Sequence, residues 1–432
     1  MAQRALPGFR DFYPEQLAER AYLMSVWRQV MHRYAFVEFD GPPLESLDIY
    51  RKKSGDELVG QLYAFTDKGD REVALRPEMT PTLARMVAAR ASSLRKPVRW
   101  FSIPQLFRYE RQQKGRLREH FQLNADIVGE AGIAADAELL AAALDVMRTL
   151  GLGSADVVAR VSDRRLLQSL LLNAGVTEAD LPALYTVIDK YEPDGGEGSR
   201  MKLERAVGNG AIADSVDSIL ACRDVASLLK HYGDLPGTGE HIERMRQYLR
   251  YVADLGFGEW VQLDLTIVRG LAYYTGTVFE LFDTAGEMRA ICGGGRYDKL
   301  LETVGGVDLP ALGFGMGDVV LGDLLKSRDL IPATVPRLDF WVASDDESLT
   351  GDVMRIAGEL RRRDVSVEYA LHPQQLARQL KSAAAAGARR VVILKRDRFV
   401  LREVTVRDLL VGTERTLQVE ELMSTLHSQL NG

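Results

Sequence analysis

From Leu17 to His32 the apolar positions Leu17, Ala21, Leu23, Met24 and Trp27 fall near helical spacing and predict an amphipathic helix. Phe36-Val-Glu-Phe39 predicts a strand, broken by Gly41-Pro42-Pro43. A short helix is expected over Thr80 to Ala91. Two strands, Arg99 to Arg108 and His120 to Val128, flank a long charged loop. The alanine- and leucine-rich run Ala134 to Leu150 predicts a helix closed by Gly151. Val157 to Val161 follows as a strand. Ser162-Asp163 then caps a helix reaching about Ala174.

Between about Thr177 and Leu255 the pattern is helical, interrupted by the polar stretch Glu192 to Ser199, as in an inserted helical subdomain. Strand patterns return at Val261 to Val268, Thr275 to Phe282 and Arg289 to Cys292, before a glycine-rich stretch, Gly293 to Gly317. Antiparallel-looking strands with helices between them predict an α+β core. After the linker Ile331-Pro-Ala-Thr-Val-Pro336 the order changes to strand (Leu338 to Ala343), helix (Leu349 to Arg362), strand (Val365 to Ala370) and helix (Pro373 to Ala386). Strands at Arg390 to Leu394 and Val404 to Leu410 and a terminal helix complete a small α/β domain with a partly parallel sheet.

Composition narrows the class. Hydrophobic residues make up 46% and charged residues 27% of 432 residues, the balance of a globular chain of two or three domains. No stretch of eighteen apolar residues occurs, so no membrane span is expected, and Met1 to Pro7 has no apolar signal core. The two cysteines, Cys222 and Cys292, are far apart in sequence, which suits a reducing, cytoplasmic setting and not a zinc site. The net charge of −6 excludes a globally basic nucleic-acid binder. From Val335 onward basic and acidic residues nearly balance, so any RNA contact must use local basic patches.

Three clusters could carry chemistry. Leu75-Arg-Pro-Glu-Met-Thr80 puts a carboxylate at a strand-to-helix turn, where it can meet an ammonium group or simply complement a helix dipole. Phe107 to Glu119 gathers Arg108, Arg111, Lys114, Arg116 and Arg118 in one hairpin, a set suited to phosphate; Gln122, Asn124 and Asp126 then share one strand face. Finally, Arg269 and Tyr273-Tyr274 precede a strand, and Gly293-Gly-Gly295 lets a ligand approach the backbone. Each is also readable as structure alone: a helix start, a solvated hairpin, a glycine bulge with core tyrosines.

Together, and in this order, the clusters resemble histidyl-tRNA synthetases over nearly the whole chain. Pro42 looks like the proline of the first class II motif, at a dimer interface, and the Arg108 hairpin looks like the second motif. Val268-Arg-Gly-Leu-Ala-Tyr-Tyr274 and Ala290-Ile-Cys-Gly-Gly-Gly-Arg-Tyr-Asp298 look like the two histidine-specific signatures. Class I signatures do not appear. The resemblance implies a class II antiparallel-sheet catalytic core over residues 1–330 with its helical insertion at about 177–255. A linker at 331–336 and a C-terminal α/β anticodon-binding domain over 337–432 would follow. It implies a homodimer that uses ATP with Mg2+, L-histidine and tRNA(His). By the same resemblance, Glu78, Met79, Thr80, Arg108, Gln122, Asp126, Arg269, Tyr273 and Tyr274 bind histidine. Arg108, Arg111, Arg118 and Gly315 bind ATP, and Arg108 and Arg269 act in catalysis.

Two positions depart from the family pattern. The tyrosine pair is preceded by Ala272 where aspartate is common. The third class II motif carries an arginine for the triphosphate tail, and here Gly313-Phe-Gly-Met-Gly-Asp-Val-Val320 ends in valine; the plant organellar branch resembles this variant. The competing reading is a paralogue lacking synthetase chemistry, the regulatory subunit of ATP phosphoribosyltransferase, which has no anticodon-binding domain.

Overall fold

The computed structural model describes residues 5–51, 60–109, 117–191, 196–269, 273–286, 288–332 and 338–430. Two units separate by their internal contacts, Met1–Ile331 and Pro332–Gly432. No described helix is long and apolar enough to cross a membrane.

In the first unit the strands in chain order are β1 (Val37–Glu38), β2 (Leu44–Ser46), β3 (Ala64–Thr66), β4 (Glu72–Leu75), β5 (Val98–Ser102) and β6 (Gln105–Phe107). They are followed by β7 (Glu119–Val128), β8 (Val157–Asp163), β9 (Val261–Leu263), β10 (Thr277–Asp283), β11 (Cys292–Arg296) and β12 (Ala311–Gly317). Nine described strands form one sheet, in the order β1-β5-β7-β12-β11-β10-β8-β9 with β6 on β7. Its centre is antiparallel; only the β1–β5 and β8–β9 pairs are parallel. A small sheet, β2-β4-β3, stands apart.

The helix Ile133–Thr149 backs the sheet and is buried almost all round, which its alanines allow. It stops two residues before Gly151, with Leu150 between them, and the Gly151 φ of +88° suits only glycine at low cost. Asp163 caps the helix Arg164–Asn173 by accepting from the backbone N–H groups of Arg165 and Leu166. The insertion is helical as expected, with described helices at Leu181–Ile188, Gly196–Val207, Gly210–Leu220, Val225–Tyr232 and Thr238–Asp254. Its apolar faces, including Leu184, Val216, Ile242 and Met245, join the main core.

Several predicted strands are redrawn. Arg99 to Arg108 is split between β5 and β6 because Pro104 has no N–H for the ladder. The strand expected over Val261 to Val268 ends at Leu263, where the Asp264 carboxylate takes the N–H and hydroxyl of Thr266 in a local turn. The strand expected over Arg289 to Cys292 instead begins at Cys292 and consists of the glycine run itself. The sequence pattern predicts no strand in the small sheet, at β12 within the glycine-rich stretch, or at the last strand of the second unit.

That unit contains β13 (Leu338–Ser344), β14 (Val367–Tyr369), β15 (Ala388–Leu394), β16 (Glu403–Asp408) and β17 (Glu414–Gln418), in the order β14-β13-β15-β16-β17. β13 runs parallel to β14 and β15, and the remainder is antiparallel. Helix Thr350–Arg361 packs with Phe340 and Val342 on one face; helix Leu376–Ala385 packs with Trp341 and Ala343 on the other. The expected linker lies mostly outside the described residues.

Candidate active site

Period-two alternation builds the site. β7 places Gln122, Asn124 and Asp126 on one face, and their ladder partners on β12 are Gly317, Gly315 and Gly313. Gly315 and Gly313 in turn pair with Gly293 and Gly295 of β11. The floor is therefore bare backbone. A Cβ at Gly313 would stand 2.0 Å from Asp126 Oδ1, one at Gly315 2.6 Å from Gln122 Nε2, and one at Gly293 1.7 Å from Arg269 Nη1. The glycines exist so that polar side chains can lie flat across the sheet.

Over this floor lies a cavity lined by Glu78, Thr80, Arg108, Gln122, Asp126, Arg269, Tyr273 and Tyr274, among others. Glu78 comes from the turn before helix Thr80–Ala89. The buried Arg76 pins that turn by donating to Asp40 and the Gly41 carbonyl, both at 2.7 Å, and to the Gln105 carbonyl at 3.1 Å. Arg108 directly follows β6 and donates through Nε to the Pro77 carbonyl at 3.0 Å. Arg269 has a φ of +56°, a strained conformation for a residue with a side chain, and its Nη1 donates to Glu280 Oε1 at 2.6 Å. Burial opposes its charge, but Tyr274, Glu280 and Tyr273 outweigh that and raise its pKa. The rings of Tyr273 and Tyr274 lie 4.8 Å apart.

Sequence reasoning gave no role to Tyr297, which lines the same cavity and donates its hydroxyl to Asp126 Oδ1. Burial and then the Asp126 charge push its phenol well above the ordinary range, so it stays a donor. Asn124 and Glu280 were likewise given no role. The signal for the floor was present in the sequence: glycines at 313, 315 and 317 repeat with the period of Gln122, Asn124 and Asp126.

A second cavity of about 290 Å3 adjoins the first and shares Arg108, Gln122, Arg269, Gly293 and Gly315 with it. Its other walls include His120, Ile291, Cys292, Val319 and Val320. Burial, then Arg108, lowers the His120 pKa to about 4, so this ring is neutral at neutral pH. Val320 lies in the first turn of helix Asp318–Ser327. Beside it, Asp318 accepts from Arg10 Nη1 and from the Phe121 N–H, both at 2.9 Å. Arg10 also reaches Glu119 at 2.6 Å.

Not every expected residue faces these cavities. The Met79 side chain is buried, 3.9 Å from Arg76 Nη1. Arg118 turns away: its guanidinium lies 4.0 Å over the Tyr109 ring and its N–H meets the Gly8 carbonyl. Arg111, Lys114, Arg116 and Ala272 lie outside the described residues.

An antiparallel sheet with two arginines converging over a glycine floor defines the catalytic core of a class II aminoacyl-tRNA synthetase. The family model described as histidyl-tRNA synthetase matches residues 8–317. A histidine–tRNA ligase from Opitutus terrae is 41% identical over 98% of this chain and 97% of its own. The chloroplastic/mitochondrial histidine–tRNA ligase of Arabidopsis thaliana is 39% identical over 96% of this chain and 85% of its own. The crystal structure of a histidyl-tRNA synthetase from Nostoc sp. PCC 7120 shares the fold, with a TM-score of 0.83 at 22% identity over 99% of this chain and all of that one. This chain belongs to the histidyl-tRNA synthetase family.

Proposed function

We infer that the chain joins L-histidine to tRNA(His) in two steps. The carboxylate of histidine attacks the α-phosphate of Mg–ATP and releases pyrophosphate; the terminal ribose hydroxyl of the tRNA then takes the histidyl group from the adenylate. The carrying observation is the single inner cavity in which Glu78, Asp126, Arg108 and Arg269 meet. Glu78 and Gln122 face the α-amino group, with Thr80 beside them. Asp126 accepts the imidazole N–H, one of its oxygens fixed by Tyr297 and Tyr274 assisting from across the cavity. Arg108 and Arg269 take up the charge that gathers on phosphorus as the bond changes hands. The adjoining cavity holds the nucleotide, with Gly315 at its boundary. Magnesium enters as part of the Mg–ATP substrate, held by phosphate oxygens and water.

The second unit holds the anticodon end of the tRNA. The protein works in the cytosol as a homodimer, with the exposed edge from Val37 to Leu44, including Pro42, in the interface. Histidine-dependent exchange of labelled pyrophosphate into ATP tests the activation step directly. No exchange with any amino acid, by folded protein in ample magnesium, refutes this reading and returns the regulatory-subunit alternative.

A further inference from the structure

A residue held in a strained backbone conformation persists only where its surroundings over-determine it. Arg269, at a φ of +56°, is such a residue, and Glu280 holds its side chain alone. Its main chain is held by Arg164. This is the first residue of helix Arg164–Asn173 and directly follows the Asp163–Thr277 pair at the end of the β8–β10 ladder. Arg164 Nη1 donates to the Val268 carbonyl at 2.7 Å and to the Arg269 carbonyl at 3.4 Å. Its backbone N–H donates to the Gly276 carbonyl at 3.0 Å. One residue therefore fastens the chain on both sides of the Tyr273-Tyr274 pair, which lines the inner cavity.

The same guanidinium also meets the helical insertion. It lies 4.5 Å over the ring of Tyr185, in helix Leu181–Ile188. Among the described residues it touches carbonyls and this ring, and no carboxylate in ion-pair range. Burial lowers its pKa, opposed by Tyr185 and Asp189. An arginine placed to neutralise charge would sit beside an acid. This one grips backbone through charge-assisted hydrogen bonds, which are shorter and stronger than neutral ones, while a ring face holds the cation.

We propose that Arg164 is a positioning residue for histidine activation: it fixes the main chain from which Arg269 reaches the α-phosphate, and Tyr185 seats it, so the insertion bears on the catalytic step through one side chain. The proposal rests on the ligase reading above. Arg164 lines neither cavity over the glycine floor and touches no substrate group. Without it the Val268 and Arg269 carbonyls lose their donor and the Arg269 backbone relaxes. The Arg269 guanidinium then leaves the place where charge gathers on phosphorus. The amino and imidazole groups of histidine, held by Glu78, Gln122 and Asp126, keep their contacts.

The test measures single-turnover adenylate formation and histidine Kd with the full chain. Arg164→Met should slow adenylation ~tenfold or more and leave histidine Kd near that of the wild type. The same change in an Arg269→Ala background should cost no further rate, because its effect runs through Arg269. Arg164→Lys keeps the stem and the charge without the planar fork, and repeats the cycle with a milder change should the methionine variant unfold. Tyr185→Leu should slow adenylation in the same background-dependent way, and Tyr185→Phe, which keeps the ring, should recover it. Full rate in the Arg164 variants, a loss confined to histidine Kd, or losses that add in full to that of Arg269→Ala overturn the proposal. Tyr185→Leu at the wild-type rate overturns the link to the insertion. Wild type that forms no adenylate overturns the ligase reading and this proposal with it, whereas additive losses in an active enzyme overturn this proposal alone.

Discussion

Replacing Asp126 by asparagine keeps the outline of the inner cavity and removes its charge. Tyr297 would still occupy the side-chain oxygen, so the new amide N–H would face the imidazole N–H, donor against donor. Asp126→Asn is expected to raise histidine KM by ~2 kcal/mol equivalent or more in pyrophosphate exchange. An unchanged KM would mean that the imidazole is held elsewhere. His120 carries a different expectation, in stability. Its pKa is about 4 in the folded chain and ~6.5 in an unfolded one, so the unfolded chain binds the extra proton between these values. Stability therefore falls as pH drops through that window, by on the order of 3 kcal/mol in all. Melting curves of His120→Gln should show a flatter acid limb from pH ~6.5 to ~4 than wild type.

At the scale of elements, neighbouring glycines on β11 should fail in opposite ways. A Cβ at Gly293 meets only the far end of Arg269, which can swing aside. Gly293→Ala should fold with a near-normal Tm and lose adenylation through kcat, because it displaces the transition-state contact proposed for Arg269. A Cβ at Gly294 meets the Gly313 carbonyl at 2.5 Å and Phe314 Cβ at 2.6 Å, which cannot yield. Gly294→Ala should cost ~1–3 kcal/mol in stability. Equal Tm values for the two variants would contradict this division. The same glycines explain what the sequence concealed. The helices at Asp163 and before Gly151 announced themselves through caps and apolar spacing, whereas β11 lacks the side chains by which strands are recognised, and helix Asp318–Ser327 was not expected. Tyr297 was unreadable for a related reason: its partner is 171 residues away, joined only by the sheet. The motif residues Glu78, Arg108, Gln122, Asp126, Arg269 and Tyr274 were legible one by one, and the structure brings them to one cavity. Helix Asp318–Ser327 bears on the remaining anomaly. Val320→Arg would put a cation in the first turn of that helix, against its dipole, while the nearby Asp318 is already engaged with Arg10. ATP KM should not improve. A large improvement would reveal a damaged standard pocket.

For the molecule as a whole, the division after Ile331 predicts separable activities. A chain ending there should keep histidine-dependent pyrophosphate exchange and lose most tRNA charging; equal charging by both forms would contradict the role given to the second unit. The parallel strands of that unit were readable from strand–helix alternation. β17 was not, since its exposed polar residues carry no apolar period. Within the first unit, Arg10 closes over Asp318 and Glu119, partners 308 and 109 residues further along. On a ribosome adding ~5–20 residues per second, Arg10 is made ~15–60 s before Asp318 exists. Once Glu119 is made Arg10 has that one carboxylate to hold, and the Asp318 half of its clasp is still missing. The first unit is thus clasped late in synthesis, by some of its earliest residues returning to meet some of its last.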